Sequence, residues 1–430
     1  MSKEEIIVGL DIGTTKICAI VGRKNEFGKL EVLGMGKAAS DGVVSGVVTN
    51  IDKTIHAIEK AIQEASDASG IYIKVVNVGI AGQHIRSMIQ HGVMMRKSRE
   101  DEISVKDVNQ LADDMNRIVM PPGSEIIHVM PQDYVVDYQD GIADPVGMPG
   151  VRLEADFHII TAQTDAIHNI NKCVQRSALE IDNLILEPLA SSLSVLSHEE
   201  KEAGVCLVDI GGGTTDLAVF HDGIIRHTAV IPFGGNIITS DIKQGCMVME
   251  MQAEQLKTKF GRAIAEEASP NEIVSIPGLR NRPPKEISVR NLAKIIEARM
   301  EEIIELIHAE IVSSGYHKKL AGGIVLTGGG AQLANLSQLV EYMTGLDARI
   351  GHPNEHLGKS KIESIKGPMY ATAIGLVLTG FMAMDMREER YLESAGKPVR
   401  RDRQGNKFFK NILQKTKGLL IDDFDDNDYK

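Results

Sequence analysis

Two short stretches carry residues whose types and spacing suit phosphate chemistry. One is Asp209-Ile-Gly211-Gly212-Gly213-Thr214-Thr215-Asp216, entered from the apolar run Val205–Val208. That run predicts a buried strand, the glycines a turn, and the β-rich residues through Phe220 a strand leading out. Backbone without side chains lets a ligand come close, and successive N–H groups in such a turn cradle an anion. Thr214 and Thr215 add hydroxyl donors, and Asp209 at the strand end suits a hydrated Mg2+ held against phosphate oxygens. A tight hairpin with a glycine bulge would look the same, so the stretch gains its meaning from repetition. Asp11-Ile-Gly13-Thr14-Thr15-Lys16 follows the apolar run Ile6–Leu10 about 200 residues earlier. A repeat at that spacing predicts two similar half-molecules. Two such hairpins face to face would clamp a polyphosphate, with Lys16 as a point charge on its β- or γ-phosphate.

Other residues fit around such a clamp. Thr327-Gly328-Gly329-Gly330-Ala331 reads as strand, glycine turn and helix, where a flat nucleoside can lie on bare backbone and a helix N-terminus favours negative charge. No GxxxxGK[ST] loop occurs. Gly234 and Gly235 form another glycine pair able to approach phosphates. Glu254 and Lys257 share one helix face at i, i+3, which is also the spacing of an ordinary surface ion pair. Glu187-Pro188 ends the strand Ile181–Leu186.

These residues resemble the actin-like ATPase fold: α/β and two-lobed, with duplicated ribonuclease-H-like halves, shared by actins, DnaK-type chaperones, MreB and sugar kinases. Within it, the chain resembles the FtsA family of bacterial cell-division proteins over about residues 5–385. The residues that carry this are His128-Val-Met-Pro-Gln-Asp-Tyr134, Asp137-Tyr138, Pro145-Val-Gly147, Gly150-Val-Arg152, Pro188-Leu-Ala-Ser-Ser192 and Arg282-Pro-Pro284. The resemblance implies ATP with Mg2+ in the cleft between lobes. Asp11 and Asp209 would hold the metal through water, and Glu187 would order Mg2+ and the attacking water. Gly13, Thr14, Thr15 and Lys16 would hold phosphates with Gly211, Gly212, Gly213, Thr214 and Thr215, near Gly234 and Gly235. Glu254 and Lys257 would reach the adenosine, and Gly328, Gly329 and Gly330 would face the nucleoside. Binding is specified more directly than hydrolysis. There is no Ser, His or Cys nucleophile constellation and no HExxH, and Pro353 between His352 and His356 argues against a helical metal pair. At most weak ATPase activity is expected.

The elements that must position these residues follow from pattern. The 430 residues, 43% hydrophobic and 25% charged, are enough for more than one core. A net charge of −12 disfavours direct nucleic-acid contact. Cys18, Cys173, Cys206 and Cys246 form no CxxC pair and read as buried thiols in a reducing compartment. Met1–Glu5 leads into a strand with no signal peptide expected. Strands are expected at 29–38 and 75–80, and helices at 50–68, 165–179 and 292–313, with a long helical region from Asn236 through Phe260. An inserted α+β subdomain is expected at about 84–163, with a short helix at 105–115 and strands at 125–130, 134–137 and 153–160. The first lobe core takes 1–83, 164–195 and 360–386. The second takes 196–225 and 303–359, with 226–302 as its outer subdomain.

Residues 367–384 are uncharged and about as long as a membrane span, but Pro, Tyr, two threonines, several glycines and the lack of a strongly basic flank argue against one, and the resemblance implies the last core helix of the actin-like fold. A charged linker at 387–406 leads to a C-terminal amphipathic helix at 407–421 and an acidic tail at 422–430. Phe408, Phe409, Ile412, Leu413, Leu419 and Leu420 fall within an arc of roughly 140° on a helical wheel. Lys407, Lys410 and Lys417 lie off it, which is the pattern of an anchor lying on an anionic membrane surface. The five aspartates after it depart from the family's usual ending and would be repelled by anionic lipid. Arg282, Lys285, Arg290 and Arg299 form a local basic cluster, and the resemblance implies that it takes the acidic-hydrophobic C-terminal tail of the tubulin-like FtsZ.

The function expected is an ATP-binding protein that polymerises with itself on the cytoplasmic face of the bacterial inner membrane. It would anchor FtsZ filaments at the division septum and recruit later division proteins. Alternatives on the same superfold are a small-molecule kinase, a chaperone-type ATPase and a DNA-segregation filament. Only about 45 residues follow the core, too few for a chaperone's peptide-binding domain.

Overall fold

The computed structural model describes residues 5–97, 101–278, 283–354, 356–358, 360 and 362–394. Arg282, the amphipathic helix expected at 407–421 with its six apolar residues, and the acidic tail lie outside these.

The duplication is visible in the sheets. The first sheet runs Leu30–Ala39, Lys16–Lys24, Ile6–Ile12, Val75–Ile80, Glu180–Leu186. Its first three strands are antiparallel neighbours, and the last two are added in parallel. The second sheet runs Ile224–Ile231, Thr215–His221, Val205–Ile210, Ile324–Thr327, Ala348–Ile350 with the same alternation of antiparallel and parallel pairs. Each sheet therefore places its Asp-Ile-Gly turn at the same corner of the same topology.

The helix Ile51–Ser69 begins where the Asn50 side chain accepts the Lys53 N–H, and ends at Gly70 in the left-handed region. It packs so closely on the first sheet that a Cβ at Gly36 would overlap the Ala61 backbone. The opposite face of the sheet is covered by Ala371–Ser394. That helix contains the only stretch among the described residues long and apolar enough to cross a membrane, but 72% of its apolar window is buried within the protein. It is the core helix expected. It meets the helix Glu187–Val195 at Gly375, where a Cβ would collide with Ala190. Glu187–Val195 in turn touches strands of both sheets, joining the two lobes.

The insert is a four-stranded sheet, ordered Ile85–Met95, Arg152–Gln163, Ser124–Val136, Gln139–Ile142, with the helix Val105–Asn116 packed on it. Besides the core helix, which runs on to Ser394 and so takes residues 387–394 of the stretch expected as a linker, three details differ from expectation. The strand Ile85–Met95 was not foreseen. The two strands expected at 125–130 and 134–137 are one strand, Ser124–Val136, which carries Pro131 through a register irregularity opposite Ala155 and Phe157; a bulge is where a strand tolerates proline. The long helical region through Phe260 is two helices, Gly235–Gly245 and Glu250–Phe260, broken where Met247 takes a positive φ of 47°.

Candidate functional site: a cleft between two matching hairpins

Each hairpin closes with the same backbone bond. The Gly13 N–H donates to the Lys16 carbonyl at 3.1 Å, and the Gly211 N–H to the Thr214 carbonyl at 2.9 Å. The turns face each other across the lobes. A Cβ at Gly212 would overlap the Thr15 methyl, and one at Gly213 would stand 2.9 Å from Thr14 Oγ1. Glycine at these two positions is what allows the turns to approach. Thr14 Oγ1 also accepts the Gly46 N–H at 3.2 Å.

Four carboxylates gather behind the turns. Asp11 is buried with Lys16 Nζ 3.8 Å away, and that ammonium also donates to the Met369 carbonyl and lies 4.8 Å over the Tyr370 ring. Asp209 accepts from Ser191 Oγ at 2.9 Å and Thr372 Oγ1 at 3.2 Å. Asp216 stands directly across the second hairpin from Asp209, accepts from Thr214 Oγ1 at 3.0 Å through Oδ2, and leaves its buried Oδ1 without a partner. Glu187 lies against Gly79 and opens the helix that joins the lobes.

The electrostatics follow from this crowding. Burial raises the Asp11 carboxyl above its ordinary value, Lys16 pulls it back and Asp209 adds to the rise. Glu187 is raised well above its ordinary value, first by burial and then by the charges of Asp11, Asp216 and Asp209. Asp209 is raised by burial against the pull of Ser191 and Thr372. Asp216 is pushed up to about 7 by burial and by Asp209. Carboxylates so placed favour a cation entering the cleft. Among the described residues no three His, Cys, Asp or Glu side chains converge closely enough to ligate a metal directly. A Mg2+ here would keep much of its water shell and meet the acids through it, as that ion prefers.

The other expected residues are distributed around this centre. Thr215 is fully buried, and its hydroxyl donates to the Phe233 carbonyl at 2.8 Å, so it ties the hairpin to the following segment. The Gly235 and Asn236 N–H groups donate to the Gly211 and Gly212 carbonyls, docking the start of the helix Gly235–Gly245 on the second turn. Lys257 Nζ meets Glu254 at 2.7 Å, the Gly235 carbonyl at 2.8 Å and Thr239 Oγ1 at 2.8 Å. Gly328, with φ of 85°, abuts Asp209 and Ile210; Gly330 packs on Ile210; Gly329 alone of the three faces open space. Hairpin, glycine turn and the Glu254–Lys257 pair therefore form one continuous wall.

Three residues of the expected basic cluster, Lys285, Arg290 and Arg299, fall within the described part of the chain. Arg299 forms ion pairs with Asp241 at 2.6 Å and with Glu302. Lys285 Nζ donates to the Cys246 carbonyl at the end of a helix. Arg290 is partly buried at the start of the helix Val289–Ser313.

Sequence reasoning gave no role to Asp216, Ser191 or Thr372. A carboxylate inside an otherwise apolar strand is a signal for the first. Nothing in spacing marks the other two, which reach Asp209 through packing.

Solved structures match this architecture. The PilM–PilN type IV pilus biogenesis complex superposes with a TM-score of 0.64 at 15% identity, covering 87% of this chain and 98% of that one. MreB5 of Spiroplasma citri bound to ADP gives 0.54 at 14% identity, covering 89% and 98%. The fold, with its paired sheets and facing hairpins, is that of the actin-like ATPases. A model described as "Cell division protein FtsA" matches residues 206–375, and one described as "SHS2 domain inserted in FTSA" matches residues 82–161. The cell division protein FtsA of Pseudomonas aeruginosa is 43% identical over 376 residues, covering 87% of this chain and 89% of that protein. The Escherichia coli K12 protein of the same name is 37% identical over 383 residues, and that of Bacillus subtilis 36% over 377. The chain belongs to the cell division protein FtsA family.

Proposed function

We propose that the chain binds ATP with Mg2+ between its lobes and polymerises on the cytoplasmic face of the membrane. There it would anchor FtsZ filaments at the division site and recruit later division proteins. The observation that carries the nucleotide reading is the meeting of two identically closed glycine turns, Gly212 against Thr15 and Gly213 against Thr14, in front of four carboxylates. Gly13, Thr14, Lys16 and Gly211–Thr214 would bind phosphates, with Asp11 and Asp209 holding the hydrated metal and Asp216 beside them. Glu187 would orient water. Bound Mg2+ would neutralise phosphate charge that the cleft's acids otherwise repel. Gly329 and the Glu254–Lys257 pair would border the nucleoside. Solved MreB5 structures bound to ADP and to AMPPNP share the fold. The membrane reading rests on the basic amphipathic pattern at 407–421, and the FtsZ reading on family membership together with Lys285, Arg290, Arg299 and Arg282.

The test is co-sedimentation with anionic liposomes and ATP, comparing the full chain with one ending at Gln404, with and without FtsZ. The expected result is that only the full chain pellets and carries FtsZ with it. If both stay in the supernatant, the tether reading fails.

A further inference from the structure

The segment His128–Asp133 belongs to the insert, yet its polar side chains leave it. Gln132 Nε2 donates to the Ile225 carbonyl at 3.0 Å, and Asp133 takes the Arg226 guanidinium at 2.8 Å, both on the outer strand of the second sheet. His128 goes the other way. It is buried, and its Nε2 accepts the Leu186 N–H at 3.0 Å. Leu186 ends the edge strand of the first sheet, and the next residue is Glu187.

That N–H has a structural demand. Glu180–Leu186 has a neighbouring strand on one side only, so its outward amides must find partners elsewhere or lie buried and unpaired. No side chain caps the helix that starts at Glu187. The backbone joining strand to helix is therefore pinned by His128. The bond needs a neutral imidazole with its proton on Nδ1, since an imidazolium has no acceptor nitrogen. Burial keeps the ring neutral, pulling its pKa down to about 3. The Nδ1 is itself buried without a partner, a penalty kept at a place where the main-chain bond matters.

We infer that His128 is a positioning residue for Glu187: by holding the Leu186 N–H, the insert fixes where that carboxylate stands among Asp11, Asp209 and Asp216. The inference rests on the reading of the cleft as an ATP·Mg2+ site. A loosened Leu186 would let Glu187 drift from the metal's water shell, while the phosphate-binding turns, on other strands, keep their geometry. Mg2+-dependent binding is then lost selectively.

The experiment measures ATP affinity of the full chain with Mg2+ and with EDTA. The variants are His128→Met, which fills the space without an acceptor, His128→Gln, whose amide oxygen reaches the Nε2 position, and His128→Asn, whose amide is too short. His128→Met is expected to lose about tenfold of the Mg2+ enhancement while ATP binding in EDTA stays within twofold of wild type. His128→Gln is expected to recover the enhancement, and Glu187→Gln combined with His128→Met to lose no more than either alone. Should His128→Met not fold, the contrast between the Asn and Gln variants carries the same test. A purely structural histidine would lower thermal stability and leave the Mg2+ enhancement untouched. That result, or a folded Gln variant no better than Met, overturns the inference and spares the nucleotide reading. A wild-type chain that binds no ATP overturns both.

Discussion

Asp216 carries the clearest cost in the cleft. Its carboxyl sits opposite Asp209 with one oxygen unpaired, and burial followed by that charge lifts its pKa from 3.8 to about 7. A carboxyl raised on folding destabilises the native state wherever it is ionised, so the penalty is full above pH 7 and shrinks as pH falls through 7 toward 3.8. Asp216→Asn should therefore melt higher than wild type at pH 8, by an equivalent of up to about 4 kcal/mol. The gap should narrow at pH 6 and also narrow when Mg2+ is added at pH 8; thermal melts across that range check it. Lys16 acts in the opposite sense, offsetting Asp11 and Glu187. Lys16→Met should lower the melting temperature and weaken ATP at least tenfold, about 1.4 kcal/mol, in a fluorescent-nucleotide titration. The facing turns that begin at Asp11 and Asp209 were legible because the same Asp-Ile-Gly string occurs twice, whereas Lys16 has no counterpart in the second copy. Asp216, Ser191, Thr372 and His128 were not legible, because their roles arise from cross-strand register and from packing between segments far apart in sequence.

At the scale of elements, close approach decides what each can tolerate. Gly375 lets the core helix sit against Ala190, and the first residues after that contact include Ser191, which holds Asp209. Gly375→Ala should cost about 1–3 kcal/mol through overpacking, read by denaturant unfolding. It should also weaken nucleotide binding, because separating these helices pulls Ser191 and Thr372 apart from Asp209. Helices and central strands were legible from spacing: the first helix starts within a residue of expectation because Asn50 is both the cap and the visible signal. Ile85–Met95 was not, since it is an edge strand with most of its side chains exposed and lacks the alternation a half-buried strand shows. The break at Met247 is not legible in the sequence, because a positive φ at a non-glycine residue leaves no compositional mark.

For the whole molecule, the insert is fastened to both lobes. Arg226, nearly fully buried, bridges Asp133 at 2.8 Å and Asp222 at 3.2 Å, and His158 meets Thr228 at 3.1 Å. Removing Arg226 deletes the bridge between insert and second lobe and leaves Asp133 and Asp222, both largely exposed, to water. Arg226→Ala should let the insert open before the lobes, seen as faster amide hydrogen exchange over 84–163 with little change in the first lobe's sheet. The two-lobed plan itself was legible from two Asp-Ile-Gly strings, whereas the insert's attachment to the second lobe depends on side chains reaching carbonyls about 90 residues or more away in sequence.

That attachment has a bearing on how deletions are read. The strand Ile224–Ile231 forms the border of the second sheet, and side chains of the insert, Gln132 and Ser87, occupy the main-chain carbonyls of Ile225 and Thr228 along it. Cutting out residues 84–163 would bare a run of unpaired backbone, the sort of margin on which chains stack into insoluble aggregates. A phenotype of such a deletion would then reflect want of soluble protein rather than a lost interaction. Solubility has to be assayed before the phenotype is assigned to a lost partner.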